Sequence, residues 1–246
     1  MFRELDIQWH IGCSGFYYKE WREIFYPKGL AQAKWFSYYC EQFNTLELNV
    51  TFYRFPQLSF LQNWYLKSPP GFKFAVKAPR LITHQKVFNE TEGLLNDFYT
   101  TVREGLQEKL GCILFQFYSN LEYSETFLSK LIGQLDPSFV NVVEFRHASW
   151  WNEQVYERLS KHGIVFSGIS HPTLPDQPII NNETVYYRFH GVPKLYYSPY
   201  PPEFLHQVKD AIKTHPQVKH AFLYFNNTAQ GSAIMNAQYL LQQFVI

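Results

Sequence analysis

The sequence predicts an α/β protein with the (β/α)8 TIM-barrel fold, formed as a single domain by residues 1–246. Three observations favour this fold class. The length of 246 residues is close to the roughly 250 that one such barrel typically needs. Short apolar runs alternate eight times with segments of helical periodicity. Polar residues, which are unusual in buried parallel strands, recur at the carboxyl ends of those runs, where barrels of this class carry their sites.

Eight short runs rich in β-branched, aliphatic and aromatic residues have the character of buried strands. They are predicted at residues 9–13, 45–50, 73–78, 112–117, 141–146, 164–169, 185–190 and 221–226. Helical periodicity predicts crossovers at residues 31–43, 59–67, 94–110, 124–135, 152–162 and 203–214, with a last helix at 232–244. The connection between the sixth and seventh strands carries Pro172, Pro175 and Pro178, so we expect it to be irregular.

An open, doubly wound sheet is the alternative to a closed barrel. Such sheets often bind a dinucleotide at a glycine-rich turn after the first strand. Here that turn reads Gly12-Cys13-Ser14-Gly15, which lacks the GxGxxG spacing. The sequence therefore favours the barrel and gives no reason to expect a cofactor.

The composition of the chain limits which binding partners and which cellular compartment are expected. Lys and Arg together number 22 against 21 for Asp and Glu, so no global charge favours nucleic acid or an anionic membrane. The cysteines Cys13, Cys40 and Cys112 form no CxxC pair, which is typical of reduced thiols. Glu4 and Asp6 stand where a signal peptide needs an apolar run, and no stretch approaches the roughly 20 apolar residues of a membrane span. We therefore expect a cytoplasmic protein.

Polar side chains mark the carboxyl ends of six predicted strands. Residues two apart on a strand share a face, which groups Glu47 with Asn49, Glu144 with Arg146, and Arg188 with His190. Because the carboxyl ends of barrel strands lie on one rim, we expect these residues around a single cavity. The full set of candidates, including one loop histidine, is Glu47, Asn49, Lys77, His84, Gln116, Glu144, Arg146, Arg188, His190, Asn226 and Asn227.

Six segments of the chain resemble the YecE-like family, a family of unknown function. They are IGCSGFYYKEW at 11–21, FNTLELNVTFYRFP at 43–56, FKFAVKAPRLITH at 72–84, EFRHASW at 144–150, YYRFHG at 186–191 and YFNNTAQGSAIMNA at 224–237. The resemblance covers essentially the whole chain and implies a TIM barrel. The family pattern lands on every candidate site residue above, and also on Gly12, Ser14, Gly15, Tyr53, His147 and Gly191.

The chain departs from the family pattern in three places. Phe16 stands where the family usually has Trp, and Phe117-Tyr118 replaces a proline-containing pair after Gln116. Ser170-His171 falls where an Asp commonly follows the sixth strand. The last change argues against a mechanism that needs a carboxylate from that strand.

The balance of charge at the strand ends predicts a small anionic substrate, phosphorylated or carboxylated. The cations Lys77, Arg146 and Arg188 outnumber Glu47 and Glu144, and arginine pairs well with carboxylate or phosphate. The residues expected to bind the substrate are Asn49, Lys77, Gln116, Arg146, Arg188, Asn226 and Asn227. Glu47 or Glu144 is the expected general base, with His190 or His84 as acid or polarising group.

Three other interpretations remain open from the sequence. The glutamates and histidines could hold a metal ion in an isomerase or phosphodiesterase-like barrel, although no HxH, HExxH or DxD spacing is present. A non-catalytic module could bind nucleic acid or a protein through Tyr196, Tyr197, Tyr200 and Lys194. The charged strand ends could also form a buried network with a structural role alone. Residues 191–202 are predicted to be either a mobile lid or a proline-stiffened connector.

Overall fold

Parallel strands alternate with helices along residues 7–243, the part of the chain that this computed structural model describes. The described strands are β1 Gln8–Ser14, β2 Thr45–Leu48, β3 Lys73–Lys77, β4 Leu110–Gln116, β5 Asn141–Glu144, β6 Val165–Phe166, β7 Gly168–Ser170, β8 Thr184–Phe189 and β9 His220–Phe225. The described α-helices are α1 Trp35–Gln42, α2 Val50–Tyr53, α3 Leu58–Lys67, α4 Glu92–Leu106, α5 Glu125–Gln134, α6 Glu153–Ser160, α7 Pro202–Lys213 and α8 Ser232–Gln242. Glu4, Asp6 and the predicted end of the last helix at Phe244 lie outside the described residues.

The chain divides into two compact units. Unit 1 comprises residues 1–46 and 167–246, and unit 2 comprises residues 47–166, so the division falls inside β2. The strand order is β7-β8-β9-β1 within unit 1 and β6-β5-β4-β3-β2 within unit 2. The pairs with a described register are all parallel, as predicted for strands joined by helical crossovers.

Unit 1 has an aromatic core between β1 and the segment that follows it. Trp21, Trp35 and Tyr39 are fully buried there. The Tyr39 hydroxyl accepts from the Cys13 amide at 2.7 Å and donates to the Thr45 carbonyl at 3.0 Å. A Cβ at Gly12 would lie 2.2 Å from the Thr45 carbonyl oxygen, so only glycine permits this close approach.

The strands β3, β4 and β5 of unit 2 are mostly buried, and α4 packs against β4. The helices α3 and α4 pack closely at Leu61 and Gly105, where an added Cβ on the glycine would lie 2.4 Å from the Leu61 Cβ. Helix α4 ends because Gln107 has φ 48° and ψ −128°, outside the helical region. As a result Leu110, predicted as the end of this helix, begins β4 instead.

The sixth predicted strand is two strands in the structure. Its first part, β6, pairs with β5 through Val165 and Phe166. Its second part, β7, pairs with β8, with Gly168 opposite Tyr187. The prediction of one continuous strand was wrong because the pairing partner changes at Ser167. The connection from β7 to β8 contains no helix, as its prolines predicted.

All three groupings of polar residues on one strand face were also wrong. Asn49 lies beyond β2 and is the N-cap of α2, in the αR conformation, and β5 ends at Glu144, two residues before Arg146. His190 and Asn226 likewise follow β8 and β9 rather than ending them. These residues still stand at the carboxyl ends of their strands, but the alternation along a strand does not set their directions.

None of the helices described in residues 7–243 is long and apolar enough to cross a membrane.

Candidate functional site

The predicted site residues fall into two groups, one in each unit. Unit 2 contains Glu47, Asn49, Lys77, His84, Gln116, Glu144 and Arg146. Unit 1 contains Arg188, His190, Asn226 and Asn227.

Lys77 is the last residue of β3, and its side chain is almost fully buried and held by specific contacts. Its ammonium donates to Gln116 Oε1 at 2.8 Å and lies 4.1 Å from the centroid of the Phe52 ring. The Thr51 hydroxyl donates to the Lys77 carbonyl oxygen at 2.6 Å, which joins α2 to the end of β3. A buried ammonium keeps its charge where hydrogen bonds and an aromatic face compensate its lost hydration.

Glu144 and Arg146 form a buried ion pair at the end of β5. Arg146 Nε donates to Glu144 Oε1 at 2.6 Å, and the Glu144 side chain is fully buried while that of Arg146 is 14% exposed. The pair forms because the chain leaves the strand after Glu144, which lets the guanidinium turn back onto the carboxylate. The carboxylate therefore holds the guanidinium in place at the edge of the buried region.

His84 lies in a short π-helical segment, Leu81–Gln85, after β3. Such segments are rare and are frequent at functional sites. The ring centroid of His84 is 5.0 Å from that of Phe52 and 5.8 Å from that of Tyr118. Burial, and then the charges of Lys77 and Arg80, lower the pKa of His84 to about 4, so its imidazole is neutral at pH 7.

The contact between His84 and Thr83 indicates which ring nitrogen carries the proton. His84 Nδ1 and the Thr83 hydroxyl are 2.8 Å apart, and Thr83 is fully buried. Within residues 7–243 this hydroxyl has no other hydrogen-bond partner, so donation to Nδ1 is the arrangement that uses its proton. The proton of the neutral ring then lies on Nε2, where the imidazole acts as a hydrogen-bond donor.

Glu47 and Asn49 complete the group in unit 2. Glu47 lies in β2 and is fully buried. The Oδ1 atom of Asn49 is buried and has no hydrogen-bond partner among residues 7–243. A buried acceptor without a donor is costly, and an N–H or O–H of a ligand would satisfy it.

The group in unit 1 follows β8 and β9. His190 is fully buried, and its Nδ1 lies 2.9 Å from the side-chain Nδ2 of Asn226. Arg188 is also buried and stands opposite Tyr224 in the register of β8 and β9. The side-chain Nδ2 of Asn227 donates to the Ser198 carbonyl at 3.0 Å and to Asn236 Oδ1 at 3.1 Å. These two bonds give Asn227 a role in holding the segment after β8.

Hydrogen bonds anchor the segment of residues 191–202 at several points. The Tyr196 amide donates to the His190 carbonyl, and the Ser232 hydroxyl donates to the Tyr197 carbonyl. The Tyr200 hydroxyl accepts from the Gly191 amide and donates to Ser170 Oγ, both at 2.7 Å. Tyr200 is buried, which argues against its use as a binding surface in the non-catalytic interpretation. This pattern favours a stiff connector over a lid.

Residues that the sequence did not single out contribute to the group in unit 2. Phe52 contacts both Lys77 and His84, and Thr83 sets the proton position on His84. The sequence feature that could have identified Phe52 is the run Thr51-Phe52-Tyr53, which follows the polar residues at the end of the second predicted strand. Its interpretation needed the position of α2, which a four-residue helix does not reveal by periodicity.

Parallel strands with helical crossovers and polar side chains at the strand ends define an α/β protein of the TIM-barrel class. Residues 10–246 match the family model described as "Protein of unknown function DUF72", and the chain belongs to that family. It is 25% identical to the UPF0759 protein YunF of Bacillus subtilis over 270 residues, 95% of this chain and 93% of YunF. It is also 25% identical to the UPF0759 protein YecE of Escherichia coli K12 over 146 residues, 57% of this chain and 52% of YecE. The predicted resemblance is thus confirmed.

Solved structures confirm the predicted fold class. A DUF72 family protein from Thermotoga maritima superposes with a TM-score of 0.87 at 28% identity, covering 97% of this chain and 100% of that one. A DUF72 family protein from Enterococcus faecalis gives a TM-score of 0.81 at 17% identity, covering 98% and 99%.

Proposed function

We propose that this chain binds a small anionic molecule, phosphorylated or carboxylated, through unit 2 and acts on it by acid–base chemistry. One observation carries the proposal: a buried ammonium, that of Lys77, and a neutral imidazole, that of His84, contact the same ring, that of Phe52. A cation beside a neutral hydrogen-bond donor is an arrangement suited to a negatively charged oxygen group.

The binding step uses two cations at the carboxyl ends of β3 and β5, the strands on either side of β4. Lys77 offers a point charge, and the partly exposed Arg146 offers a planar guanidinium. Asn49 Oδ1 would accept from a hydroxyl or amine of the same molecule. Such a site recognises a molecule that carries both an anionic group and a hydrogen-bond donor.

The chemical step divides between His84 and a carboxylate. Neutral His84, donating from Nε2, would polarise a carbonyl or phosphoryl oxygen without releasing a proton. The general base is one of the two fully buried carboxylates at the strand ends, Glu47 or Glu144. The roles of His190, Arg188, Asn226 and Asn227 remain the predictions made from the sequence.

A thermal-shift screen with a matched pair of lysine variants tests this function. Phosphorylated and carboxylated metabolites at fixed ionic strength should raise the unfolding temperature of the wild type. Lys77→Met should abolish the shifts. Lys73→Met removes the same charge from the other end of β3, where the lysine donates to the Glu108 carbonyl, and should leave the shifts unchanged. Equal responses of the two variants would refute the proposed site.

The metal-dependent alternative has no donor set within the described part of the chain. Among residues 7–243, no group of three or more histidine, cysteine, aspartate or glutamate side chains could hold a metal ion. Metal analysis of protein purified without chelator distinguishes the two functions. Near-stoichiometric zinc, manganese or iron that falls in Glu47→Gln would favour the metal-dependent reaction.

A further inference from the structure

A pocket lies in unit 2, between α2 and α3. It has a volume of about 300 Å³. Its walls are mainly apolar, and six of the residues that line it are Val50, Arg54, Phe55, Phe60, Leu61 and Trp64. The volume is at the lower end of those that enclose small ligands. None of these six residues belongs to the group proposed above.

The charge at this pocket is positive and is not balanced locally. The Arg54 side chain makes no hydrogen bond or ion pair with any residue in the described range 7–243, although the Arg54 backbone amide donates to the Val50 carbonyl at the end of α2. The sequence carries no aspartate or glutamate between Glu47 and Glu90, while the same stretch has six lysines and arginines. A cation beside apolar walls favours a ligand with a carboxylate at one end and an apolar body at the other.

The apolar walls are accessible to such a ligand. Phe60 is 59% exposed and Val50 is 52% exposed, whereas Leu61 closes the base of the pocket and is fully buried. The pocket is therefore an open concave site with a buried base. A concave site of this size fits a small molecule better than a macromolecular surface.

We propose that this pocket binds a small carboxylate with an aromatic or branched aliphatic body. Its carboxylate pairs with Arg54, and its apolar part lies against Phe55, Phe60 and Trp64. This inference goes beyond the proposed function, since it concerns a separate site and does not depend on Lys77, His84 or Arg146.

The experiment follows the indole N–H signal of Trp64, assigned through Trp64→Phe, in two-dimensional NMR. The probes are benzoate, 3-phenylpropionate, indole-3-acetate and 4-methylpentanoate, each beside its uncharged alcohol, and inorganic phosphate. We expect at least one carboxylate to shift the Trp64 signal with at least tenfold higher affinity than its alcohol, because a charge-assisted pair is worth about that factor. Phosphate should leave the signal unchanged.

Three variants separate the contributions of charge and walls. Arg54→Gln should remove the preference for the carboxylate, while Phe60→Ser should weaken the acid and the alcohol alike. Lys67→Gln, at the end of α3 and outside the pocket, should bind as the wild type does. Equal affinity for acid and alcohol, or unchanged binding by Arg54→Gln and Phe60→Ser, would overturn the inference. So would a Trp64 signal that answers only to acidic peptides and to none of the small carboxylates.

Discussion

Gln116 and Glu144 are register partners in β4 and β5, and each side chain accepts a hydrogen bond from a different cation of the candidate site. Gln116 receives the ammonium of Lys77, and Glu144 receives the guanidinium of Arg146. The pairing of β4 with β5 therefore positions the two acceptors that hold the Lys77 ammonium and the Arg146 guanidinium. Substitution of either acceptor should therefore change the position of a cation in the site.

Loss of the Glu144 carboxylate should destabilise the protein. Glu144→Gln leaves the Arg146 guanidinium beside a neutral amide, and breaking a buried pair costs about 3 kcal/mol. Glu125→Gln is the matched control, because Glu125 pairs with Arg158 where both side chains are exposed. Chemical denaturation should show a much smaller loss for the control. Similar losses in the two variants would mean that burial does not set the strength of the Arg146 pair.

The pKa of His84 should be about 4. Burial is the main cause, and the charge of Lys77 adds to it. NMR titration of the ring protons should therefore give a higher pKa in Lys77→Met than in the wild type. Lys73→Met should leave the titration unchanged. A wild-type pKa near the ordinary value of 6.5 would contradict the neutral, donor role given to this residue.

The same depressed pKa makes stability depend on pH in a defined direction. Unfolded His84 titrates near 6.5 and folded His84 at about 4, so the unfolded state binds the proton first as the pH falls. The contribution of His84 to stability is complete above pH 6.5 and is lost on approaching pH 4. His84→Asn should therefore show a smaller fall in the free energy of unfolding between pH 7 and pH 4.5. An unchanged pH dependence in the variant would count against the shift.

The segment after β8 should loosen when Asn236 is truncated. Asn236 Oδ1 accepts from the Tyr200 amide at 3.0 Å, and its amide donates to the Tyr200 carbonyl at 2.9 Å. Asn236→Ala leaves buried backbone groups unpaired, at a cost of about 1–3 kcal/mol. Hydrogen exchange across residues 191–201 should accelerate in this variant and not in Tyr197→Phe, whose tyrosine is exposed. Fast exchange in the wild type would instead indicate a lid.

Much of the fold was predictable because buried strands leave strong local patterns. All eight predicted runs contain strand, and the helix predicted to start at residue 124 has Ser124 as its N-cap, with the hydroxyl accepting from the Phe127 amide. The break at Ser167 was not predictable, since a change of pairing partner leaves no local signal. Helix α2 was missed because four residues are too few to show a helical period.

The sequence predicted which residues belong to the candidate site. It did not predict which of their side chains contact one another. Polar residues at strand ends identified Lys77, Gln116, Glu144 and Arg146, because apolar residues are the rule there. The contact of Lys77 with Gln116 spans 39 residues, and the turn of Arg146 back onto Glu144 depends on where β5 ends. Both arise from tertiary packing, which periodicity does not report.

An anomalous difference map from wild-type crystals soaked in selenate tests the central claim most directly. Selenate is a tetrahedral oxyanion that marks phosphate sites through its selenium atom. We expect a peak within hydrogen-bonding reach of Lys77 Nζ and of the Arg146 guanidinium, and its loss in Lys77→Met crystals. Selenate peaks that avoid Lys77 and Arg146 in the wild type, or a peak that persists in Lys77→Met, would contradict an anion site in unit 2.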